Sequence, residues 1–417
     1  MTNFGVKNSG SNANENVTVQ FILETVKKII NSPQNSKNIV YDLQVVSGTF
    51  LLNFVESFIS VYDKVQNIVV RVGQSSDCLL INCHFDSALS RASDDLISCA
   101  NMLEVLRIVS LQATDARNCL IFLFNGAEEN ILQASHGFIT KHPWFKDVRG
   151  VVNLEASGSG GNQYYSGPGT SWLLYLYRDS VPYPYGTAAG QDLFQSGLIP
   201  SDTDYRIFRD YGNVSGCFFY SFTGLDLAFF TNGYVYHTPD DTDTRIDDCT
   251  ISKAGTPFSL PGINLLALTK AFLVQPHFYS TDQKLAYFEV ASTYFFVLPQ
   301  SLVSFLCLGA LVFALCSTYY GVMRHNYSCP LYPFVVLRMR YSLIYTTAVF
   351  LVIATFLASF GINYFLSRLF HALSLHMTWF ALNFNLVLYA VPPFLVVLSF
   401  HHLNALIWNS VIYIRII

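Results

Sequence analysis

Residues 78–109 read CLLINCHFDSALSRASDDLISCANMLEVLRIV, and this stretch decides the fold. Cys78 to Phe85 is short, apolar and rich in branched residues, which predicts a buried strand. From Asp94 to Val109 the apolar residues recur at helical spacing, which predicts a helix. Alternation of strands and helices is typical of an α/β domain with a largely parallel core sheet.

The flanking sequence extends the same pattern. Further strand-like segments are Asn67 to Val72, Asn118 to Phe124 and Val148 to Leu154. Val17 to Ile30 has an apolar helical face and ends at Ser32-Pro33. We therefore expect an α/β domain over residues 16–280, with a mostly parallel central sheet flanked by helices. Residues 1–15 are rich in Asn, Ser and Gly, which predicts a disordered N-terminus.

The C-terminal part of the chain has a different composition. Every Asp and Glu lies at or before Glu289, and the residues after it contain no lysine. We predict a membrane region over 286–417 with three transmembrane helices, because three uncharged stretches are long enough to cross a bilayer. These stretches are residues 294–319, 342–366 and 378–400.

Arginines that flank these stretches predict the topology. The 320–341 loop contains three arginines and the next loop contains only Arg368, so the first loop is predicted to be cytoplasmic. The larger N-terminal part then faces the lumen or the exterior. In that orientation the sequons at Asn16 and Asn213 are candidate glycosylation sites.

Charge and cysteine content exclude other classes. The net charge of -4 and the absence of a basic cluster argue against nucleic-acid binding. Nine cysteines without a C-x-x-C pair argue against a thiolate zinc finger or a thioredoxin-like motif. Cys78, Cys83 and Cys119 are interpreted as small hydrophobes of the core. Cys217 and Cys249 lie in loop-like sequence and form a candidate pair in an oxidising compartment.

Polar residues follow the predicted strands at the edge where ligands bind in open α/β sheets. His84 and Asp86 close one strand and, with a period of two, point to the same side. A carboxylate beside an imidazole fixes its tautomer for metal binding. Ser93-Asp94-Asp95 lies at the start of the predicted helix. Capping of the helix N-terminus accounts for one acidic residue there, but it accounts poorly for two in succession.

Three more groups complete an ordered series. Glu128 and Glu129 end the strand in FLFNGAEEN, and adjacent carboxylates repel unless a cation or solvent lies between them. One of the two can bind metal while the other acts as a general base. Glu155 ends the next strand in VVNLEASGSGG, and His237 lies in GYVYHTPDDT. Each residue alone is better explained by a structural role than by a catalytic one.

Taken together, the segments resemble a known family. HFDSALSRASDDLISCANMLEVLR, FLFNGAEEN, VVNLEASGSGG, SDTDYRIF and YVYHTPDDT look like the signature blocks of the co-catalytic zinc exopeptidases of the aminopeptidase type. They resemble more closely the endoplasmic reticulum metallopeptidase branch, in which such a domain is joined to several transmembrane helices. Many relatives have Asp-Asp-Gly-x-Gly where this chain has Asp-Asp-Leu-Ile-Ser, a difference that bears on substrate specificity.

The resemblance implies a zinc exopeptidase fold and a site for two Zn²⁺ ions per chain. Asp94 would bridge the two ions. His84 and Glu155 would complete one metal site, and Glu129 with His237 would complete the other. Histidine and carboxylate ligands of this kind suit zinc.

The resemblance also implies catalytic roles for three residues. Glu128 would be the general base and acid, Asp86 would orient the metal-binding histidine, and Tyr236 matches a position that steadies the tetrahedral intermediate in some relatives. The implied enzyme is a membrane-anchored, aminopeptidase-like exopeptidase acting on luminal peptides, with the lipid bilayer as its second partner. We expect it in the endoplasmic reticulum membrane.

Two other functions remain open from the sequence. A glutaminyl-cyclase-like transferase resembles the same fold with one zinc, and a receptor or scaffold would use the fold without catalysis. Retention of all five ligands and the base favours a two-metal enzyme over both. Because the relatives carry an N-terminal transmembrane segment and more C-terminal helices, the sequence is also interpreted as a fragment. Peptide specificity and oligomeric state are left open.

Overall fold

The computed structural model describes residues 1–327 except 54–56, 88–91, 113–115, 159, 166–170, 189–190, 192–201, 213–223, 232, 247–259, 279–284 and 291–293. Beyond residue 327 it describes only Phe350 and Leu357. The predicted span 378–400 therefore lies outside the described residues, as does nearly all of 342–366. The chain divides into two compact units, Met1–Val303 and Ser304–Ile417.

A central sheet organises the first unit. Its strands are β1 Ile39–Asn53, β2 Ser57–Val72, β3 Cys78–His84, β4 Cys119–Asn125, β5 Val148–Ala156, β6 Gly160–Tyr165 and β7 Gly224–Thr231. Their spatial order is β1-β2-β4-β3-β5-β7-β6. The inner strands β4, β3, β5 and β7 run parallel. Every residue of β3 and β4 is buried, as expected for continuous apolar runs covered on both faces.

The edges of the sheet differ from the prediction. β1 and β2 pair antiparallel, β2 pairs antiparallel with β4, and β6 pairs antiparallel with β7. The sheet is therefore mixed, with a parallel core, rather than mostly parallel. The sequence prediction included only residues 67–72 of β2 and omitted β1, because the outer part of this long hairpin has polar residues and exposed apolar residues in irregular order.

Helices flank both faces of the sheet, as predicted. They are α1 Val19–Ile30, α2 Leu96–Leu111, α3 Gln133–Lys141, α4 Ser171–Ser180, α5 Asp204–Tyr211 and α6 Leu260–Val274. Ile22 of α1, Leu106 of α2 and Leu268 of α6 join one buried core cluster. Phe138 of α3 and Phe208 of α5 join the cluster on the other face. The α/β class is confirmed.

Residues 1–15, for which the sequence predicts disorder, contact the segments that follow β3 and β4. Lys7 forms a backbone bridge to Ser87, and its side chain is fully buried. Asn14 is also buried, and its Nδ2 donates a hydrogen bond to the carbonyl oxygen of Gly126 at 2.8 Å. Composition predicted disorder because these tertiary contacts are not visible in the local sequence.

A β-hairpin follows the α/β part of the first unit. It consists of β8 Leu285–Val290 and β9 Tyr294–Pro299. Tyr287 and Phe295 are buried and belong to the core cluster that contains α1 and α2. Phe288 and Phe296 are exposed and stack on each other with ring centroids 5.2 Å apart. The aromatic residues therefore alternate between two faces, as in a strand.

The hairpin corrects the start of the predicted membrane region. Residues 294–299 belong to β9, and the helix that follows, α7 Gln300–Tyr327, begins at Gln300 rather than at residue 294. The boundary at residue 286 likewise falls inside β8. An aromatic strand and an adjoining apolar helix form one uninterrupted apolar run, which made them inseparable by hydropathy. Among the described residues, no helix has the combined length and apolar character required for a membrane span.

Buried cysteines pair in this structure. The disulfides are Cys78–Cys119 and Cys83–Cys99. Cys78 and Cys119 are partners in the register of β3 and β4, with Cα atoms 4.4 Å apart. The interpretation of Cys78, Cys83 and Cys119 as unpaired core residues is thus corrected, since parallel register placed two of them side by side. Cys217 and Cys249 lie outside the described residues.

Candidate metal centre

The predicted site residues lie at the edge where the parallel strands end. His84 is the last residue of β3, and Glu155 is the penultimate residue of β5. Glu128 and Glu129 follow the end of β4, and His237 lies in a turn after β7. Because the carboxyl ends of parallel strands share one edge of a sheet, distant segments of the chain meet there.

Asp94 lies between the two histidines. Its Oδ1 is 3.2 Å from Nε2 of His84, and its Oδ2 is 3.2 Å from Nε2 of His237. The Asp94 side chain is 3% exposed. Each imidazole therefore faces a different oxygen of the same carboxylate, which is the arrangement that a bridging ligand requires.

Further carboxylates surround each histidine. Glu155 Oε2 lies 3.6 Å and Glu128 Oε2 lies 4.0 Å from Nε2 of His84. Glu129 Oε2 lies 3.7 Å from Nε2 of His237. The five predicted ligands are thus brought together. Two groups of potential ligand atoms, each within 4.8 Å of one another, are His84 with Glu128 and Glu155, and Asp94 with Glu129 and His237.

Burial and mutual repulsion perturb the ionisation of this cluster. Burial raises the pKa of Glu155 to about 8. Burial also raises the pKa of Glu128 well above its usual range, and the charge of Glu155 adds to that rise while His84 opposes it. Burial disfavours the charged form of His84, but Glu155 and Glu128 outweigh this effect, so the pKa of His84 lies well above its usual value. Without a cation, the cluster therefore holds protons near neutral pH.

Asp86 holds two segments of the site at once. Its Oδ1 lies 3.4 Å from Nδ1 of His84, and its own backbone carbonyl lies 3.2 Å from the same nitrogen. Its Oδ1 and Oδ2 also accept hydrogen bonds, each of 3.0 Å, from the backbone N–H groups of Glu128 and Glu129. The sequence indicated the contact with the histidine but not the contact with the two glutamates.

Tyr236 lies beside the second histidine. Its ring stacks on that of His237 with centroids 3.8 Å apart, and both residues line a cavity of about 210 Å³ above the acidic cluster. His237 has a left-handed backbone with φ of 56°, as do Ile131 and Leu132 in the cavity wall, with φ of 69° and 60°. Such conformations are unfavourable for branched and bulky residues and concentrate at functional sites.

The donor set fits a metal ion, and zinc in particular. Oε1 of Glu155 is buried and has no hydrogen-bond partner among the described residues, and Nε2 of His84 is buried and faces only carboxylate oxygens. Buried polar atoms are normally hydrogen-bonded, so these two are available to a cation. Imidazole nitrogens and carboxylate oxygens are typical zinc ligands. A cation would also separate the clustered carboxylates, which otherwise repel.

Sequence reasoning missed a buried polar ladder beneath the ligands. Asn82 donates a hydrogen bond to Oδ1 of Asn153 at 2.7 Å, and Asn153 donates one to Oδ1 of Asp226 at 2.9 Å. Asn82 and Asn153 lie two residues before His84 and Glu155, so each shares a face of its strand with a predicted ligand. A polar residue at that spacing inside an apolar run was the available signal.

Asp241 was also missed. It is fully buried, and its carboxylate accepts hydrogen bonds from Ser93 and Asp94. The only hint in the sequence was the second aspartate of the PDDT turn, which an exposed loop explains equally well.

Comparisons with known proteins identify similar sequences and structures. The model of Peptidase family M28 matches residues 67–258. Endoplasmic reticulum metallopeptidase 1 of Mus musculus is 44% identical over 277 residues, which cover 65% of this chain and 29% of the relative. Putative endoplasmic reticulum metallopeptidase 1-B of Caenorhabditis elegans is 37% identical over 373 residues, covering 86% of this chain and 40% of the relative. The chain thus spans well under half the length of these curated relatives.

The solved structures that match this chain include the LapA aminopeptidase of Legionella pneumophila. It is 13% identical, with a TM-score of 0.48, and the match covers 66% of this chain and 70% of that one. The family match spans β3, β4, β5 and β7 and every residue of the cluster described above. Residues 67–258 are thus similar to peptidase family M28, and over a longer stretch the chain is similar to an endoplasmic reticulum metallopeptidase.

Proposed function

We propose that this chain hydrolyses peptide bonds as an aminopeptidase-like exopeptidase with two zinc ions. The observation that carries the proposal is the placement of Asp94, whose two carboxylate oxygens each lie 3.2 Å from a different imidazole. In the proposed site, His84 and Glu155 complete one metal position. Glu129 and His237 complete the other.

Bound zinc supplies a positive charge that lowers the pKa of water and stabilises the oxyanion formed during hydrolysis. In the proposed mechanism, the Glu128 carboxylate accepts a proton from the attacking water and delivers it to the departing amine. Its location at the cavity, beside the first group of ligands, supports this role. Burial also raises the pKa of Glu128, a shift in the direction that favours a group acting first as base and then as acid.

Asp86 and Tyr236 have supporting roles in this mechanism. Asp86 holds the imidazole of His84 through Nδ1, so that Nε2 points toward the metal. It also fixes the backbone of Glu128. Tyr236 packs against His237 at the cavity, where its phenol is proposed to steady the tetrahedral intermediate.

The lining of the cavity supports action at the amino end of a peptide. None of its described lining residues is lysine or arginine, so this part of the lining offers no cationic side chain to a C-terminal carboxylate. Apart from the proposed zinc ligands, the lining contains the carboxylates of Glu128 and Asp202, which favour a protonated amine instead. Leu52, Ile131 and Leu132 give one wall an apolar surface that suits the side chain of the residue to be released.

The purified full chain is expected to contain two zinc ions and to cleave aminoacyl chromogenic substrates. The same substrates with an acetylated amino group should not be cleaved, because the amine is then neutral and blocked. Removal of zinc with a chelator should abolish hydrolysis, and added zinc should restore it. Stoichiometric zinc without any peptide hydrolysis would contradict the enzymatic proposal, whereas a single zinc would contradict the two-metal site.

Zinc binding is expected to release protons near neutral pH. In the metal-free site burial raises the pKa of Glu155 to about 8, and the neighbouring glutamates raise the pKa of His84 above its usual value, so the coupled pair retains a proton near pH 7. Zinc needs the deprotonated ligands, so affinity should rise as pH rises, by up to about tenfold per pH unit for each proton released. Calorimetric zinc titrations in buffers of different ionisation enthalpy count these protons. An affinity that stays constant between about pH 6 and 8 would contradict the prediction.

We place the enzyme in the endoplasmic reticulum membrane with its site on the luminal side. The uncharged stretches 342–366 and 378–400 support attachment to a bilayer, and the arginines of 320–341 support the orientation. The name of the mouse relative supports the compartment. Asn16 is exposed, so it is available for glycosylation in that orientation. Carbonate extraction and glycosidase treatment of membranes test this placement.

A further inference from the structure

Asp241 is a buried carboxylate with no assigned role in the proposed hydrolysis. It lies four residues after His237, and its side chain is fully buried. Its Oδ1 accepts hydrogen bonds from the backbone N–H of Ser93 at 3.0 Å and from the hydroxyl of Ser93 at 2.7 Å. Its Oδ2 accepts a hydrogen bond from the backbone N–H of Asp94 at 3.2 Å.

These contacts join two segments that are far apart in sequence. The backbone carbonyl of Asp241 also accepts a hydrogen bond from the N–H of Ala92 at 3.1 Å, so residues 92–94 are held at three consecutive positions. A short turn connects Asp241 to His237, because the N–H of Asp241 bonds to the carbonyl of Thr238 at 3.3 Å. The segment with the bridging aspartate is therefore fastened to the turn with the second histidine.

The distance between Asp94 and His237 is important because Asp94 is the ligand that the two metal positions are proposed to share. Asp94 contacts both histidines through different oxygens, so a small rotation of its backbone would move one oxygen away from His84 or His237. Asp86 fastens Glu128 and Glu129 to the end of β3 in a comparable way. Asp86 therefore connects the end of β3 to residues 128–129, and Asp241 connects the turn after His237 to residues 93–94.

We propose that Asp241 is a positioning residue that sets the distance between Asp94 and His237 and thereby the zinc affinity of the site. The inference rests on the two-zinc function proposed above and adds a residue outside the ligand set. A purely structural role would stabilise the loop without a specific effect on metal binding. Loss of a positioning residue should lower the zinc affinity. Loss of a purely structural residue should lower the stability of the metal-free fold instead.

The Asp241→Asn variant separates these roles. An asparagine has one acceptor oxygen, so it can keep the bonds to Ser93 but presents an N–H₂ group to the N–H of Asp94. We expect zinc to bind about 10 to 100-fold more weakly, the range found when a group that orients metal ligands is removed. The melting temperature of the metal-free variant should stay within a few degrees of wild type, because one hydrogen bond contributes about 1 kcal/mol.

Zinc dissociation constants and metal-free melting temperatures of the full chain provide the measurement. Asp240→Asn is the matched control, because Asp240 is exposed in the same turn and carries the same charge. It should leave both quantities unchanged. Ser93→Ala removes only the hydroxyl contact, so it should weaken zinc binding less than Asp241→Asn does. If Asp241→Asn fails to fold, the zinc affinity of Ser93→Ala still tests the proposal.

Outcomes for this inference and for the proposed function can be told apart. Unchanged zinc affinity in Asp241→Asn, or an equal loss in Asp240→Asn, would overturn the positioning role alone. Wild-type zinc binding without peptide hydrolysis would overturn the proposed function alone. A wild-type chain that binds no zinc would overturn both.

Discussion

Replacing Glu128 by glutamine is expected to lower kcat about 10² to 10⁴-fold, the range that general acid–base catalysis contributes. The amide has nearly the same shape as the carboxylate but accepts no proton at neutral pH. The zinc content should stay at the wild-type value, because the proposed ligands are unchanged. Hydrolysis rates at saturating substrate, measured together with zinc content, test both parts of the prediction.

The position of Glu128 makes the zinc measurement decisive. Its Oε2 lies 4.0 Å from Nε2 of His84, compared with 3.6 Å for Glu155, so both glutamates are close enough to ligate the same ion. Loss of zinc in Glu128→Gln would identify Glu128 as a ligand and would contradict its role as the base. Glu129→Gln is the neighbouring control, and it should lose zinc because it removes a ligand of the second metal position.

The parallel core could be predicted because its information is local. β3, β4 and β5 are short apolar runs with polar boundaries, and a strand buried on both faces requires such a run. The β1–β2 hairpin was predicted only in part, because it lies at an edge, where one face and part of the other remain exposed. In such strands the hydrophobic pattern is weak, and pairing depends on neighbours elsewhere in the chain.

The proposed ligands could be assigned to one edge of the sheet for a related reason. His84 and Glu155 each end a recognisable strand, and parallel strands bring their carboxyl ends to one edge of the sheet. His237 does not end a strand, so its position followed from the family resemblance alone. The contact of Asp241 with Ser93 joins residues 148 positions apart. No local pattern encodes a hydrogen bond of that kind.

Replacing Asp94 by asparagine is expected to remove zinc from both metal positions and to reduce hydrolysis about 10³-fold or more. Metal ions contribute several kcal/mol to stabilising the transition state, and each 1.36 kcal/mol corresponds to a factor of ten in rate. Asparagine offers a single carbonyl oxygen and no negative charge, so it cannot face His84 and His237 with equivalent oxygens. Zinc content, hydrolysis and the melting temperature of the metal-free protein should be measured together.

The number of zinc ions left in Asp94→Asn tests the bridge itself. A bridging carboxylate is shared, so its loss should weaken both positions, whereas Glu155→Gln and Glu129→Gln should each weaken mainly one. If Asp94→Asn instead retained one tightly bound zinc, then Asp94 would serve only one position, despite its 3.2 Å contacts with both imidazoles. Separate zinc affinities for the three variants therefore decide whether Asp94 couples the two metal positions.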